Sequence, residues 1–220
     1  MTTSVASKPP KHRGDKTSTA FEVGEFKKIY DPSLGELQQW WINDHCIFQD
    51  HQGRWHLIGI TKQQPKNKLL QLILDDEAVN KLSWLGRKLM YLRIALLRRK
   101  GDPIQATQEV NLAHASSTSL LAEQWNKHDF ALSADDLAHE THLWAPHVIE
   151  HQGLFYMFYC AGGKQKNQYR MHLATSKDAM HWQRNLANPL FIDGYEARDP
   201  MVIKVDEQWL MYYTATSEID

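Results

Sequence analysis

Three stretches of the chain alternate apolar and polar positions in the same way. Asp44 to Thr61, Ala145 to Tyr159 and Asp199 to Thr214 each run from an apolar segment through a short polar break to a second segment rich in aromatic residues. The breaks, His51-Gln52-Gly53, His151-Gln152-Gly153 and Asp206-Glu207-Gln208, hold residue types that tolerate tight reversals. The β-branched and aromatic residues on either side suit a pleated, half-buried surface. The pattern predicts three β-hairpins. A second repeat follows the first two of them: Leu112-Ala113-His114-Ala115-Ser116 with Trp125 after it, and Leu173-Ala174-Thr175-Ser176 with Asp178 and Trp182 after it. The interval from Ala145 to Asp199 fits one four-stranded module of a β-propeller, in which each sheet hides its faces against its neighbours. The expected fold is all-β, a propeller.

The interval between the first two hairpins is longer, and its period changes. Residues 66–105 read as helical, with Leu85, Leu89, Leu92 and Leu96 on one face. Arg87, Lys88, Arg93, Arg98, Arg99 and Lys100 make the second half basic, and Gly101-Asp102-Pro103 provides a stop. This predicts a helical insertion. One reading packs its leucines on the propeller wall with the charges in solvent. The other makes it a basic amphipathic element that touches a membrane surface or a partner.

Composition removes several classes. The chain has 220 residues, 25 Lys+Arg against 26 Asp+Glu and a net charge of -1, so it lacks the basic footprint of a nucleic-acid binder. No apolar stretch approaches the roughly 20 residues that span a bilayer. Residues 1–20 are polar and are expected to form a disordered tail; with no apolar secretory core, the expected location is the cytoplasm. Cys46 and Cys160 have no CxxC spacing and read as two buried thiols. His139-Glu140-Thr141-His142 lacks the HExxH spacing, and strand geometry turns neighbouring side chains to opposite faces, so neither a metal nor another cofactor is expected. Serine-hydrolase elbows and phosphate-binding glycine loops are missing too.

Candidate chemistry lies where the first strands of the three hairpins begin. The inner strand of each propeller blade lines a common channel, so equivalent positions on these strands converge on one mouth. Asp44 and Asp199 hold matching positions, and Ala145 is the middle counterpart. Paired carboxylates facing one cavity suit glycosidic cleavage, in which one attacks or activates water and another stabilises the cationic transition state. An aspartate ahead of a strand is also a common turn or cap residue. Trp40, Trp41 and Trp144 nearby provide flat apolar surfaces for sugar rings.

Trp41-Ile42-Asn43-Asp44, Trp144-Ala145-Pro146 and Ala197-Arg198-Asp199-Pro200 resemble the first, second and third blades of the five-bladed propeller glycoside hydrolases. That superfamily holds the arabinanases, xylosidases and arabinofuranosidases of family 43 and the invertases and fructanases of family 32. The resemblance covers about residues 21–61 and 111–217. It implies a carbohydrate substrate, Asp44 as base or nucleophile, and Asp199 as the transition-state stabiliser. Arg198, Trp41, Asn43, His45 and Trp144 would contact the sugar. Family 32 usually has Pro and Asn after the first aspartate, where this chain has His45 and Cys46. The general acid of the superfamily is a fourth-blade glutamate, and neither Glu140 nor Glu150 matches its motif. On this count the chain holds about two and a half of five blades, from the N-terminal portion. It is then expected to be weakly active or inactive alone, with a completing C-terminal chain or self-association covering its open side. The alternative is a non-catalytic carbohydrate-binding or structural propeller fragment.

Overall fold

The computed structural model describes residues 24–64, 76–98, 109–163 and 168–216. The expected N-terminal tail, 1–20, lies outside them, as do both flanks of the helical segment. The rest is mostly antiparallel sheet. The first sheet holds β1 (Trp40–Gln49), β2 (Trp55–Gln63) and β3 (Asn111–Ser117). Two short strands, β4 (Asn126–Lys127) and β5 (Leu132–Ser133), both pair with β3. The second sheet runs in chain order through β6 (Leu143–His151), β7 (Leu154–Gly162), β8 (Tyr169–Ser176) and β9 (Gln183–Arg184). A third, two-stranded sheet pairs β10 (Glu196–Val205) with β11 (Gln208–Thr216).

The three hairpins close where the polar breaks stand. His151 pairs with Leu154, leaving Gln152 and Gly153 as a two-residue loop with φ of 52° and 78°. Both values are left-handed, as a type I′ turn requires to match the twist of its strands. Gly53, also at φ 78°, closes the first turn by donating to the Asp50 carbonyl at 3.0 Å. The second repeat forms the third strand of each complete sheet: β3 pairs with β2 and β8 with β7. Trp125 and Trp182 stand immediately before β4 and β9.

Period-two alternation accounts for the core. Phe155, Met157 and Tyr159 on β7 all point to one face and are wholly buried. They meet Ile58, Ile60 and Leu112 of the first sheet, with Leu143 and Val148 from β6. The opposite face of the first sheet buries Leu57, Ala113, Ala115 and Trp125 beneath Tyr30, from the segment before β1.

Two helices, α1 (Asp76–Lys81) and α2 (Trp84–Arg98), occupy part of the segment between β2 and β3. Their leucines correct the first of the two sequence readings. Leu85, Leu89, Leu92 and Leu96 are 53–59% exposed and do not pack on the sheets. Among the described side chains of α2, Met90 is buried, on a different face of the helix.

Candidate active site

The first strands of the three hairpins, β1, β6 and β10, lie side by side. Each carries one extra residue against its partner. The register slips between Asn43 and His45, between Trp144 and His147, and between Arg198 and Met201. The residues in the left-handed region at these bulges are Asp44 (φ 34°), Ala145 (φ 44°) and Asp199 (φ 55°). A side chain with a Cβ adopts that conformation at a cost of about 1–3 kcal/mol, and such residues concentrate where a bulge re-aims a side chain at a site. The positions matched in the sequence therefore share one backbone device.

Two cross-strand contacts place the bulges at one level. The Cys46 thiol, two residues past the first bulge, contacts the backbone of Val148, three past the second. His147, two past the second bulge, has Nε2 2.9 Å from the carbonyl oxygen of Val202, three past the third. The same offset holds at both junctions. Asp44 and Asp199 are both exposed, as are the Asn43 and His45 that flank Asp44.

Around the second and third bulges lies a denser cluster. The half-buried Trp144 ring packs against His142 at 4.2 Å and Tyr169 at 5.1 Å between centroids. Arg198 and Asp199 form an ion pair, Nε to Oδ2 at 3.6 Å. Burial pushes the Cys160 thiol up to about 12, with the Asp199 charge adding to the effect, so it stays protonated and is no nucleophile. Burial pushes His142 down to about 4, so it is a neutral ring at physiological pH. Arg198 Nε is shielded from solvent and, among the described residues, finds no hydrogen-bond partner. The Trp144 indole shares that condition, but so do Trp40, Trp125 and Trp182. The Arg198 donor is the more telling of the two, because the ion pair with Asp199 leaves this shielded N–H without a hydrogen bond.

On the first strand, Trp41 is half-buried, with Lys62 Nζ 5.3 Å from its ring centroid and the Thr61 hydroxyl donating to its carbonyl. Lys62 is itself anchored 2.6 Å from Glu109. One ring face is thus occupied by a cation.

Glu140 has a different function. Its carboxylate is wholly buried, takes three contacts from the Arg184 guanidinium at 2.7–3.1 Å and accepts from the Tyr159 hydroxyl at 2.8 Å. Burial opposes its ionisation, but the His172 ring 3.6 Å away and the hydrogen bonds from Arg184 and Tyr159 outweigh that and hold it at about 2. It is a structural anion that cannot supply a proton near neutrality. The neighbouring histidines diverge in the same way: His139 ends a short 3-10 turn, while His142 faces Trp144. Sequence reading did not find Tyr169 as a neighbour of Trp144, since it reaches the ring from the far strand β8.

Comparison with known proteins places this arrangement. Among solved structures the chain resembles RS223-Beta-xylosidase, at 15% identity and a TM-score of 0.51, over 80% of this chain and 45% of that one. It also resembles a fructofuranosidase from Schwanniomyces occidentalis, solved with fructosylnystose, at 17% identity and a TM-score of 0.50, over 79% of this chain and 29% of that one. At these identities the likeness is one of fold, and the chain spans less than half the length of either enzyme. No curated protein matches. The family model described as "Glycosyl hydrolases family 32 N-terminal domain" matches residues 103–220, more than half of the chain and including the bulges at Ala145 and Asp199. With three bulged first strands at one level and a mostly β fold shared with propeller glycosidases, the chain belongs to the glycosyl hydrolase family 32 N-terminal domain family.

Proposed function

We propose that this chain supplies the first blades of a five-bladed propeller glycosidase that hydrolyses O-glycosidic bonds in furanose- or pentose-containing glycans. The observation that carries the reading is the repeated left-handed bulge, which sets two exposed carboxylates on the outer two of three neighbouring first strands, with Ala145 on the strand between them. Asp44 acts at the anomeric carbon, as nucleophile or as the base that activates water. Asp199, paired with Arg198, stabilises the positive charge that develops on the sugar ring. Arg198 also binds a sugar hydroxyl, which satisfies its open Nε donor. Asn43 and His45 hydrogen-bond hydroxyls beside Asp44, and Trp144 and the open face of Trp41 carry the sugar rings.

Protonation of the leaving oxygen needs a third group with a raised pKa. Glu140 is excluded by its pairing with Arg184. In this scheme the acid is the fourth-blade glutamate that the resemblance implies, and the separation between it and Asp44 sets retention or inversion.

The test is hydrolysis of aryl fructofuranosides, arabinofuranosides and xylopyranosides by the chain joined to whatever follows Asp220 in its coding frame, beside Asp44→Asn and Asp199→Asn variants. Asp44→Asn is expected to lower kcat by about 10²–10⁴-fold with the fold intact. Full activity in that variant refutes the assignment. Sugar binding without turnover in the extended protein would instead identify a carbohydrate-binding propeller.

A further inference from the structure

Helix α2 presents a second apolar surface that neither the sheets nor the candidate active site uses. At 3.6 residues per turn, Leu85, Leu89, Leu92 and Leu96 fall within one sector of about 60°. All four are more than half exposed, as are Trp84 and Tyr91. Met90, which is buried, lies about 130° away from the middle of that sector. The helix therefore has an inward face and a separate outward leucine face. A core helix with one stripe would have buried its leucines.

Charge indicates what the outward face meets. Lys88 and Arg93, both exposed, flank the leucine sector about 40° beyond either margin. Lys88 Nζ stands 4.1 Å from the centroid of the Trp84 ring. Between Ala78 and Gly101 the sequence contains no Asp or Glu, while Lys81, Arg87, Arg98, Arg99 and Lys100 add to the two flanking cations. This concentration stands in a chain whose net charge is -1. Leucines at the centre, cations at both margins and a tryptophan beside them are the features of a helix lying in the interface of an anionic bilayer. There the leucines enter the acyl boundary and the long basic side chains reach the headgroups. At about 22 Å, α2 is shorter than the roughly 30 Å hydrocarbon core, and no described helix is long and apolar enough to cross a membrane.

We propose that α2 docks the protein on a membrane surface that carries anionic lipid. The partner is a lipid surface rather than a second protein because the cations surround the apolar face uniformly. A second copy of α2 would bring like charges together at both margins of the leucine seam, where paired helices instead place complementary ones.

The experiment is co-flotation of the whole chain with phosphatidylcholine vesicles, with and without phosphatidylserine, at low and high salt. Binding is expected to require phosphatidylserine and to be released by salt. Lys88→Gln with Arg93→Gln should weaken it by about 25-fold, about fivefold for each cation removed. Leu89→Asp with Leu92→Asp should abolish it while leaving the far-UV circular dichroism unchanged. Equal binding to both vesicle types, or binding to neither, overturns the proposal. So does a dimer in sedimentation velocity that Leu89→Asp with Leu92→Asp dissociates while the chain ignores vesicles, an outcome that assigns the face to a second copy.

Discussion

Strands β7 and β11 are the second strands of equivalent hairpins, and their fates differ. Phe155, Met157 and Tyr159 on β7 are wholly buried; Trp209 and Tyr213, which hold the places of Phe155 and Tyr159, are 42% and 37% exposed. Met211, in the place of Met157, is only half-buried. Both strands are rich in aromatic residues and both pair with a bulged first strand. The difference comes from neighbours. β7 lies between β6 and β8 and beneath the first sheet, whereas β11, among the described residues, pairs with β10 alone. Local sequence builds the hairpin, and the adjacent sheet determines whether its apolar side chains leave water.

The comparison is broken most directly in the core. Phe155→Ala removes a ring that contacts Phe48 and His51 and should cost about 3–5 kcal/mol in urea unfolding. A cost near 1 kcal/mol would mean that the two sheets do not share a common core.

Acid should act next, and on the same two sheets. Burial and the neighbouring His56 and His128 push His114 down to about 3; burial pushes His142 down to about 4. Glu140 is held at about 2 by the contacts described above. All three have folded-state pKa values below their ordinary ones, so the unfolded chain binds more protons as the pH falls. Their stabilising effect is complete above about 6.5 and erodes for the histidines between 6.5 and about 3, then for Glu140 between about 4.5 and 2. The loss is about 1.4 kcal/mol per pH unit for each proton taken up only on unfolding. Circular dichroism at stepped pH should show a falling midpoint below pH 6.5, and His114→Gln should flatten its upper part. A midpoint constant from pH 7 to 4 would place these groups in contact with water.

The smallest effect is expected at the edge. Tyr212, 58% exposed, should change stability by less than about 0.5 kcal/mol when replaced by Ser. A cost comparable to that of Phe155→Ala would show that something covers β11 in solution.

Much of this organisation was legible in the sequence where the signal is local. The turn residues place all three hairpin reversals, and Leu112 to Ser116 and Leu173 to Ser176 pair with the second strands of their sheets. What was not legible depends on distance. The leucines of α2 show the correct helical period, but a period does not say which side a protein covers, and here the leucine side is open. The Glu140–Arg184 pair joins residues 44 apart in the chain, and the Trp144 cluster draws on two strands and the segment before them. The bulges escaped for a different reason. Asp is at home in the left-handed region, whereas Ala145 is not, and no residue type announced a common backbone shape.

Ala145 has a wider consequence. Its backbone adopts the shape of its two neighbours although its own side chain gains nothing from it, so the packing of the strands, and not the aspartates, imposes the kink. The three positions thus form a row of interchangeable sockets: two are filled with carboxylates and one is vacant. A scaffold that fixes the direction of a side chain independently of its chemistry lets reactive groups be added, removed or moved along the row without rebuilding the fold.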